Sequence, residues 1–416
     1  MKELRRIIKF TDIWEAQNIL LAHVKPLDRH ESVPVFEAAD RVLYSPIVSQ
    51  KDLPPHHASH MDGYAVKSAN LQSATKENPV KLKIVGTCTP GKKQEIDLQD
   101  GEAARILTGA YLPDKADAVV PQEYVSVVGD YVVIDSPAVP WQFVDLKGFD
   151  VKAGQRLFER GHVLKMADAV LLASFGVERV DVVERPRVGL FAVGDELTES
   201  FDEARRGKVL NTHTHLVKRL ISASGGTPTF YGIVPDDPAI LKEKVDAYTA
   251  QTDVFISIAG SSISEKDVSS IFTASQSSSL FVHGLTLQPG RVGGFGFVNE
   301  KPFILLPGLI MSTLNVFMFL AYPLLRKLQH QPPRYYHHRV KARLVEDVRF
   351  RKYLDFVKIV WVTVEDDGRE LTCRPIPGES SGVSIPSRSD GFVAAFPGVD
   401  RLEKGAVVWV NYPPGL

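Results

Sequence analysis

Pro186-Arg187-Val188-Gly189-Leu190-Phe191-Ala192-Val193-Gly194-Asp195-Glu196 is a short apolar run that delivers two carboxylates directly after a glycine. The apolar part reads as a buried strand, and in an open α/β sheet ligands gather outside the carboxyl ends of the strands. Asp195 and Glu196 therefore stand where a site is expected. Working outward, Asp253 to Ile258 reads as a second buried strand that runs into Ala259-Gly260-Ser261-Ser262-Ile263-Ser264-Glu265-Lys266-Asp267. Small residues and hydroxyls of this kind let backbone N–H groups approach a phosphate, although a connection without a ligand would look alike. Phe303 to Leu306 is a third strand, ending in Pro307-Gly308. From Arg187 to about Leu328 strands alternate with helices, the pattern of a mostly parallel sheet covered on both faces. If the three strands are neighbours, their ends share one edge.

The segment Phe303 to Leu325 carries no charge over 23 residues, the length of a membrane-spanning helix. Pro307-Gly308 interrupts it, and Ser312, Thr313 and Asn315 cluster just after the interruption. It is read as a buried strand, a turn and a buried helix ending near Pro323. With 49 Lys+Arg against 50 Asp+Glu, the charge balance makes no case for a nucleic-acid or membrane partner. The length of 416 residues calls for several cores. The two cysteines, Cys88 and Cys373, indicate neither a disulfide framework nor a zinc site, and they fit a reducing cytoplasm. Met1 to Phe10 lacks the apolar core of a signal peptide.

Toward the N-terminus, Thr11 and Asp12 can cap a helix whose apolar positions Ile13, Ala16, Ile19 and Leu20 recur at helical spacing. From Val42 to Ala65 the chain is extended and ends in His56-His57-Ala58-Ser59-His60-Met61-Asp62-Gly63-Tyr64-Ala65. The histidine spacing fixes no carboxylate or cysteine partner, so no metal is expected there. Val80 to Ile134 reads as an all-β insertion, and Ala167 to Phe175 as a helix ended by Gly176. Asp236 and Asp237 would cap a helix starting at Pro238. Beyond Gln331-Pro332-Pro333, a basic and aromatic stretch, Tyr335 to Arg343, leads into strand-like segments at Phe356 to Val364, Gly391 to Phe396 and Ala406 to Val410. They make a small C-terminal β domain.

Four segments in this order carry a resemblance: Met61-Asp62-Gly63-Tyr64-Ala65, Arg105 to Glu123 with its Thr108-Gly109-Ala110 and Ala116-Asp117-Ala118-Val119-Val120, Gly148-Phe149-Asp150 followed by Gly154 and Gly161, and Val193 to Leu197. Each is short, but together they are specific, and the chain resembles the MoeA/gephyrin E-domain family, the molybdopterin molybdotransferases. The resemblance implies a multi-domain α/β plus β chain with elongated subunits. Its units would be a discontinuous N-terminal domain (1–50 and 143–185), a β-rich insertion (51–142), a MogA-like three-layer α/β domain (186–329) and a C-terminal β domain (330–416). It implies a homodimer that inserts molybdate into adenylylated molybdopterin and releases AMP, with a MogA-like protein and molybdoenzyme acceptors as partners. Asp62, Thr108, Asp150 and Asp236 fall on functional positions, with the first two closing a cleft across the dimer. Glu196 and Asp267 match the acids expected to hold Mg²⁺. Gly260, Ser262, Pro289, Gly290, Arg291, Pro307, Gly308 and Ser312 match substrate-contacting positions.

The chain departs from the family pattern where anions should be handled. Ala259 and Ser264 stand for glycines, and added Cβ atoms restrict φ and close approach. Gly284 and Gln288 stand for lysines, leaving Arg291 with His283 nearby. Leu309-Ile310 replaces Asn-Pro after Pro307-Gly308. Two functions follow: a divergent molybdotransferase using Arg291 and His283, or a silent relative that keeps the dimeric scaffold as a binding protein.

Overall fold

A computed structural model describes residues 10–260 and 280–416. Its organising sheet runs in the order 227–234, 187–193, 254–258, 301–306, 294–298, 281–283, with the first four strands parallel and the last two antiparallel. Side-chain alternation divides its two faces. Val188, Leu190, Ile256, Ile258, Ile304 and Leu306 enter one core with the helices Ile13–Ala22, His213–Ala223 and the long segment after Leu306. Phe191, Val193, Phe255, Phe303 and Leu305 face the helix Pro238–Tyr248 through Leu241 and Val245. A strand buried on both faces reads as a continuous apolar run, which is what the sequence shows. The helix Ile13–Ala22 thus belongs by packing to the α/β core, and Asp12 caps it by accepting from Trp14 N (2.9 Å) and Glu15 N (3.1 Å).

The uncharged segment behaves differently from the sequence reading at one end. The helix Ile310–Val316 passes through a π-helical turn, Phe317–Ala321, into Tyr322–Leu328, so Pro323 does not end it. Proline lacks the N–H that would bond the carbonyl four residues back. That carbonyl, on Phe319, instead accepts from Gln17 Nε2 at 2.8 Å. Among the described residues no helix is long and apolar enough to cross a membrane.

The β-rich unit is a six-stranded sheet in which Gly63–Val66, the strand of the MDGYA segment, lies between 118–121 and 102–106. All four of its residues are buried, because Tyr64 and Val66 enter a core on one face and Ala65 one on the other. The discontinuous unit pairs His30–Pro34 with Arg179–Val183 and packs the helix Met166–Ser174 on Leu43, Leu164 and Val182. Gly176, at φ +80°, ends that helix. Arg29 of this unit bonds Asp253 through its two terminal guanidinium nitrogens (3.1 and 2.8 Å), and Arg187 N adds a third bond at 2.9 Å. Burial pushes the Asp253 carboxyl up, but these partners outweigh it and hold the group below its usual range.

The C-terminal strands close on themselves: 357–366 pairs with both 371–375 and 391–395, and 338–344 and 407–412 complete the ring. Closure removes the open edges that such a small sheet would otherwise expose. Leu287–Gln288 adds to it in parallel beside Val357 and Lys358, joining barrel to α/β domain. Cys373 is buried here with its thiol pushed up to about 11, and burial also raises Cys88, so both sulfurs are inert packing atoms.

Candidate active site in the crevice of the α/β domain

Registered pairs Ala192 with Ile258 and Ile258 with Leu306 set three strand ends side by side. The sheet reverses its order at the strand 187–193, so the gap between Gly194 and Ala259 lies at the topological switch point. On one side, Gly194 leaves room for the Glu196 carboxylate to fold back over the strand end. A Cβ there would lie 2.7 Å from both carboxylate oxygens. Lys208 Nζ donates to the Asp195 carbonyl at 2.6 Å and steadies the turn. Glu196 is exposed and makes no ion pair among the described residues.

On the other side, Ala259 has φ +67°, in the left-handed region that favours glycine, followed by Gly260 at φ +73°. The chain keeps the glycine conformation and places a methyl in it. Ala259 N donates to Leu306 O at 2.9 Å, and a Cβ on Gly308 would come within 3.2 Å of the Ala259 methyl. The third loop, Leu306-Pro307-Gly308-Leu309, is pinned from below by Thr313 Oγ1, 2.5 Å from the Pro307 carbonyl and 3.1 Å from that of Leu309. Ser312 is buried one turn into the same helix.

His213 joins the crevice from the start of the helix His213–Ala223, with the Gly308 backbone as its hydrogen-bond partner. Burial depresses its pKa more than that bond raises it, so the ring is neutral at physiological pH. Two residues before it, Asn211 accepts from Thr214 Oγ1 (2.8 Å) while its buried Nδ2 has no partner among the described residues. Thr313 enters the sequence reading only as a polar residue after the Pro307-Gly308 turn, and His213 and Asn211 not at all. The available signal was a polar run, Asn211-Thr212-His213-Thr214, opening an amphipathic helix just after a strand-like Val209-Leu210.

The cationic positions resolve one by one. Gly284 has φ +93°, a conformation strained for lysine whatever the space around it. Gln288 leaves Oε1 buried without a partner among the described residues, and its registered neighbour is Lys358, whose amine lies 3.2 Å from the Phe356 carbonyl. His283 Nε2 lies 3.2 Å from the Val292 carbonyl. The Arg291 guanidinium hydrogen-bonds the Tyr353 hydroxyl from the barrel side, with its carbon 5.3 Å from that ring's centroid. The Pro289-Gly290 turn that carries it is tied to the helix after Gly308 by Asn315 Nδ2, 2.9 Å from the Pro289 carbonyl. Asn315 Oδ1 in turn accepts from Trp361 Nε1 at 3.3 Å.

A second group sits on the β-rich sheet. Thr108 N and Oγ1 both donate to Asp62 Oδ1, each at 2.7 Å, and hold this carboxyl below its ordinary range. Asp150 is exposed on a neighbouring loop, where its N–H bonds the Leu53 carbonyl at 3.0 Å. Asp236 is half-buried after the strand 227–234, while Asp237 caps the next helix through Ala239 N (2.8 Å). Ser262 and Asp267 lie outside the described residues.

Residues 11–176 match the family description "MoeA N-terminal region (domain I and II)", and 189–327 match "Probable molybdopterin binding domain". A molybdopterin molybdenumtransferase of Nostoc is 31% identical over 333 residues, 79% of this chain and 76% of that protein. The chain belongs to the MoeA family. A putative molybdopterin biosynthesis protein of Methanocaldococcus jannaschii is 29% identical over 390 residues, 91% of each chain. The crystal structure of a molybdopterin biosynthesis MoeA protein from Pyrococcus horikoshii superposes with a TM-score of 0.84 at 29% identity, covering 98% of this chain and 100% of that one. The MoeA architecture, with its MogA-like domain, β-rich domains and C-terminal barrel, is thereby the architecture of this chain, and molybdenum cofactor biosynthesis is its field of action.

Proposed function

We propose that this MoeA member inserts molybdate into adenylylated molybdopterin with release of AMP, working as a cytoplasmic homodimer with Mg²⁺. The observation that carries the reading is the switch point itself, where the Glu196 carboxylate, without an ion pair among the described residues, lies over the Gly194 strand end and the left-handed Ala259-Gly260 turn follows the neighbouring strand. The hard oxygen donor of Glu196 suits Mg²⁺, and Asp267 would supply the second carboxylate. Bound there, Mg²⁺ would offset the pyrophosphate charge and polarise the phosphorus under attack.

The chain's own groups divide the remaining work. The N–H groups of Gly260 and the Pro307-Gly308 turn, with Ser262 and Ser312, would orient the substrate. The Asp62 carboxylate, kept ionised by Thr108, serves as an anionic hydrogen-bond acceptor rather than a proton donor. Asp62 and Thr108 flank strands of the β-rich sheet, and Asp150 lies on a loop outside the α/β domain, which favours closure against the crevice of a second copy. Arg291, steadied by Tyr353, is the cation assigned to the incoming oxyanion, and it takes over from the lysines whose places are held by Gly284 and Gln288. Neutral His213 keeps Gly308 in place. A MogA-like protein would supply the adenylylated substrate, and molybdoenzymes would consume the product.

Purified protein given adenylylated molybdopterin, molybdate and Mg²⁺ should release AMP stoichiometrically with active cofactor. Glu196→Gln should raise the Mg²⁺ concentration for half-maximal release by about 100-fold. A folded dimer that releases no AMP above a blank would sink the reading and leave the chain its scaffold role.

A further inference from the structure

The histidine-rich stretch and the segment after Ala138 meet at a cavity of about 400 Å³ in the β-rich unit, apart from the Glu196 crevice. His56, His57, Lys93, Lys115, Trp141 and Lys147 are among its walls. Its backbone is unusual. Lys115 has φ +69° and Trp141 also has φ +69°, with Phe143 at +54° just behind. These are three of the nine non-glycine residues with positive φ among the described ones, and a bulky residue in that region is an outlier. Such strain persists only where surrounding bonds over-determine it, and it collects at binding sites. Here Trp141 N donates to the Asp117 carbonyl at 2.5 Å, while Asp117 itself accepts from Ser68 N (2.6 Å) and Oγ (2.7 Å). The bonds fix the indole against the cavity wall.

The wall has two chemistries. Trp141 lies 4.7 Å from His57 between ring centroids, with the two planes tilted by 37°, and remains 45% exposed, so ring surface is left for a planar guest. His57 Nδ1 accepts from Lys147 N (3.1 Å), which puts the proton of the neutral ring on Nε2 and makes it a donor. Three lysines line the same space against two aspartates, Asp114 and Asp117. Lys93 pairs with Asp114 (2.9 Å), Lys115 with Asp97 (2.6 Å) and Lys147 with Asp52 (3.5 Å). All three lysines are about half exposed, so exchanging a carboxylate for a phosphate costs little. A sugar would stack on the indole and ignore the lysines; a free phosphate would use the lysines and ignore the indole.

From this pairing we propose that the cavity binds a planar heterocycle carrying a phosphate, the chemistry of a nucleoside monophosphate or a phosphorylated pterin. The inference does not depend on the reaction assigned to the crevice.

Calorimetric titration of the full-length protein with AMP, and in parallel with a pterin monophosphate, tests it. At least one should bind saturably, and the tighter of the two names the source. Trp141→Gly, whose φ suits glycine, should weaken that isotherm about tenfold with the fold intact by circular dichroism, as should Lys93→Gln with Lys147→Gln. The tighter ligand without its phosphate group, and inorganic phosphate, should each bind about tenfold more weakly than that ligand. The proposal is overturned by no binding of either up to about 10 mM, by isotherms unchanged in the folded variants, or by inorganic phosphate binding as well as the tighter ligand.

Discussion

Pro323 and Ala259 are both at odds with the backbone around them, and the molecule treats them differently. Pro323, deep in the long helix, removes a hydrogen bond, and the structure answers with a π-helical turn and the Gln17 amide on the Phe319 carbonyl. Ala259, at the crevice, occupies a left-handed turn at φ +67° and keeps its methyl there. A misfit that is repaired belongs to the architecture. One that is tolerated at a strand end, against Gly308, marks where backbone shape matters more than stability.

The repaired site should be the more sensitive. Gln17 is buried, so Gln17→Leu strands the Phe319 carbonyl without a donor and should cost about 1 to 3 kcal/mol in urea unfolding. An unchanged midpoint and slope would mean that the π turn satisfies that carbonyl unaided.

The tolerated site should respond in the opposite direction. Ala259→Gly releases a left-handed strain of about 1 to 2 kcal/mol, offset by a chain-entropy cost of about 0.5 to 1 kcal/mol. A net gain of about 0.5 to 1 kcal/mol in thermal unfolding is expected. Ala259→Val should reverse the sign, since a β-branched residue fits that φ worse. If both variants unfold like the parent, the contrast with Pro323 collapses.

The same division decides what could be read from the sequence. The three strand ends were legible because fully buried parallel strands leave continuous apolar runs, and their order of motifs placed the remaining domains. The Asp237 cap and the Gly176 helix end follow from local chemistry and could be read there too. Pro323 misled because its remedy comes from Gln17, 302 residues from Phe319 in sequence. Barrel closure through 357–366 and 391–395 was hidden for the same reason: pairing partners of a β domain leave no local trace. In the crevice, the acids were legible, but Thr313 under the Pro307-Gly308 turn and His213 against Gly308 were not, since each acts through a backbone carbonyl. Gly284, where the family pattern has lysine, reads from the sequence as a simple loss of charge; its φ of +93° shows in addition that a lysine would be strained on this backbone.

The smallest expected effect separates the crevice from the Asp62–Thr108 pair, whose two bonds hold a carboxylate rather than a backbone shape. Asp62 sits below its ordinary 3.8 chiefly through the Thr108 N–H, then its hydroxyl, while partial burial pulls the other way. Because the folded pKa is depressed, whatever the ionised carboxylate contributes is fully present above about pH 4. It is lost only as pH falls through the lower, folded value. Thr108→Val removes the hydroxyl and keeps the N–H, so the carboxyl should move part of the way back toward 3.8. The measurement is a carboxyl-carbon NMR titration of Asp62 in parent and variant. An acid limb that stays in place would mean that the backbone bond alone sets the carboxylate, and that the side chain of Thr108 is kept for contact with substrate.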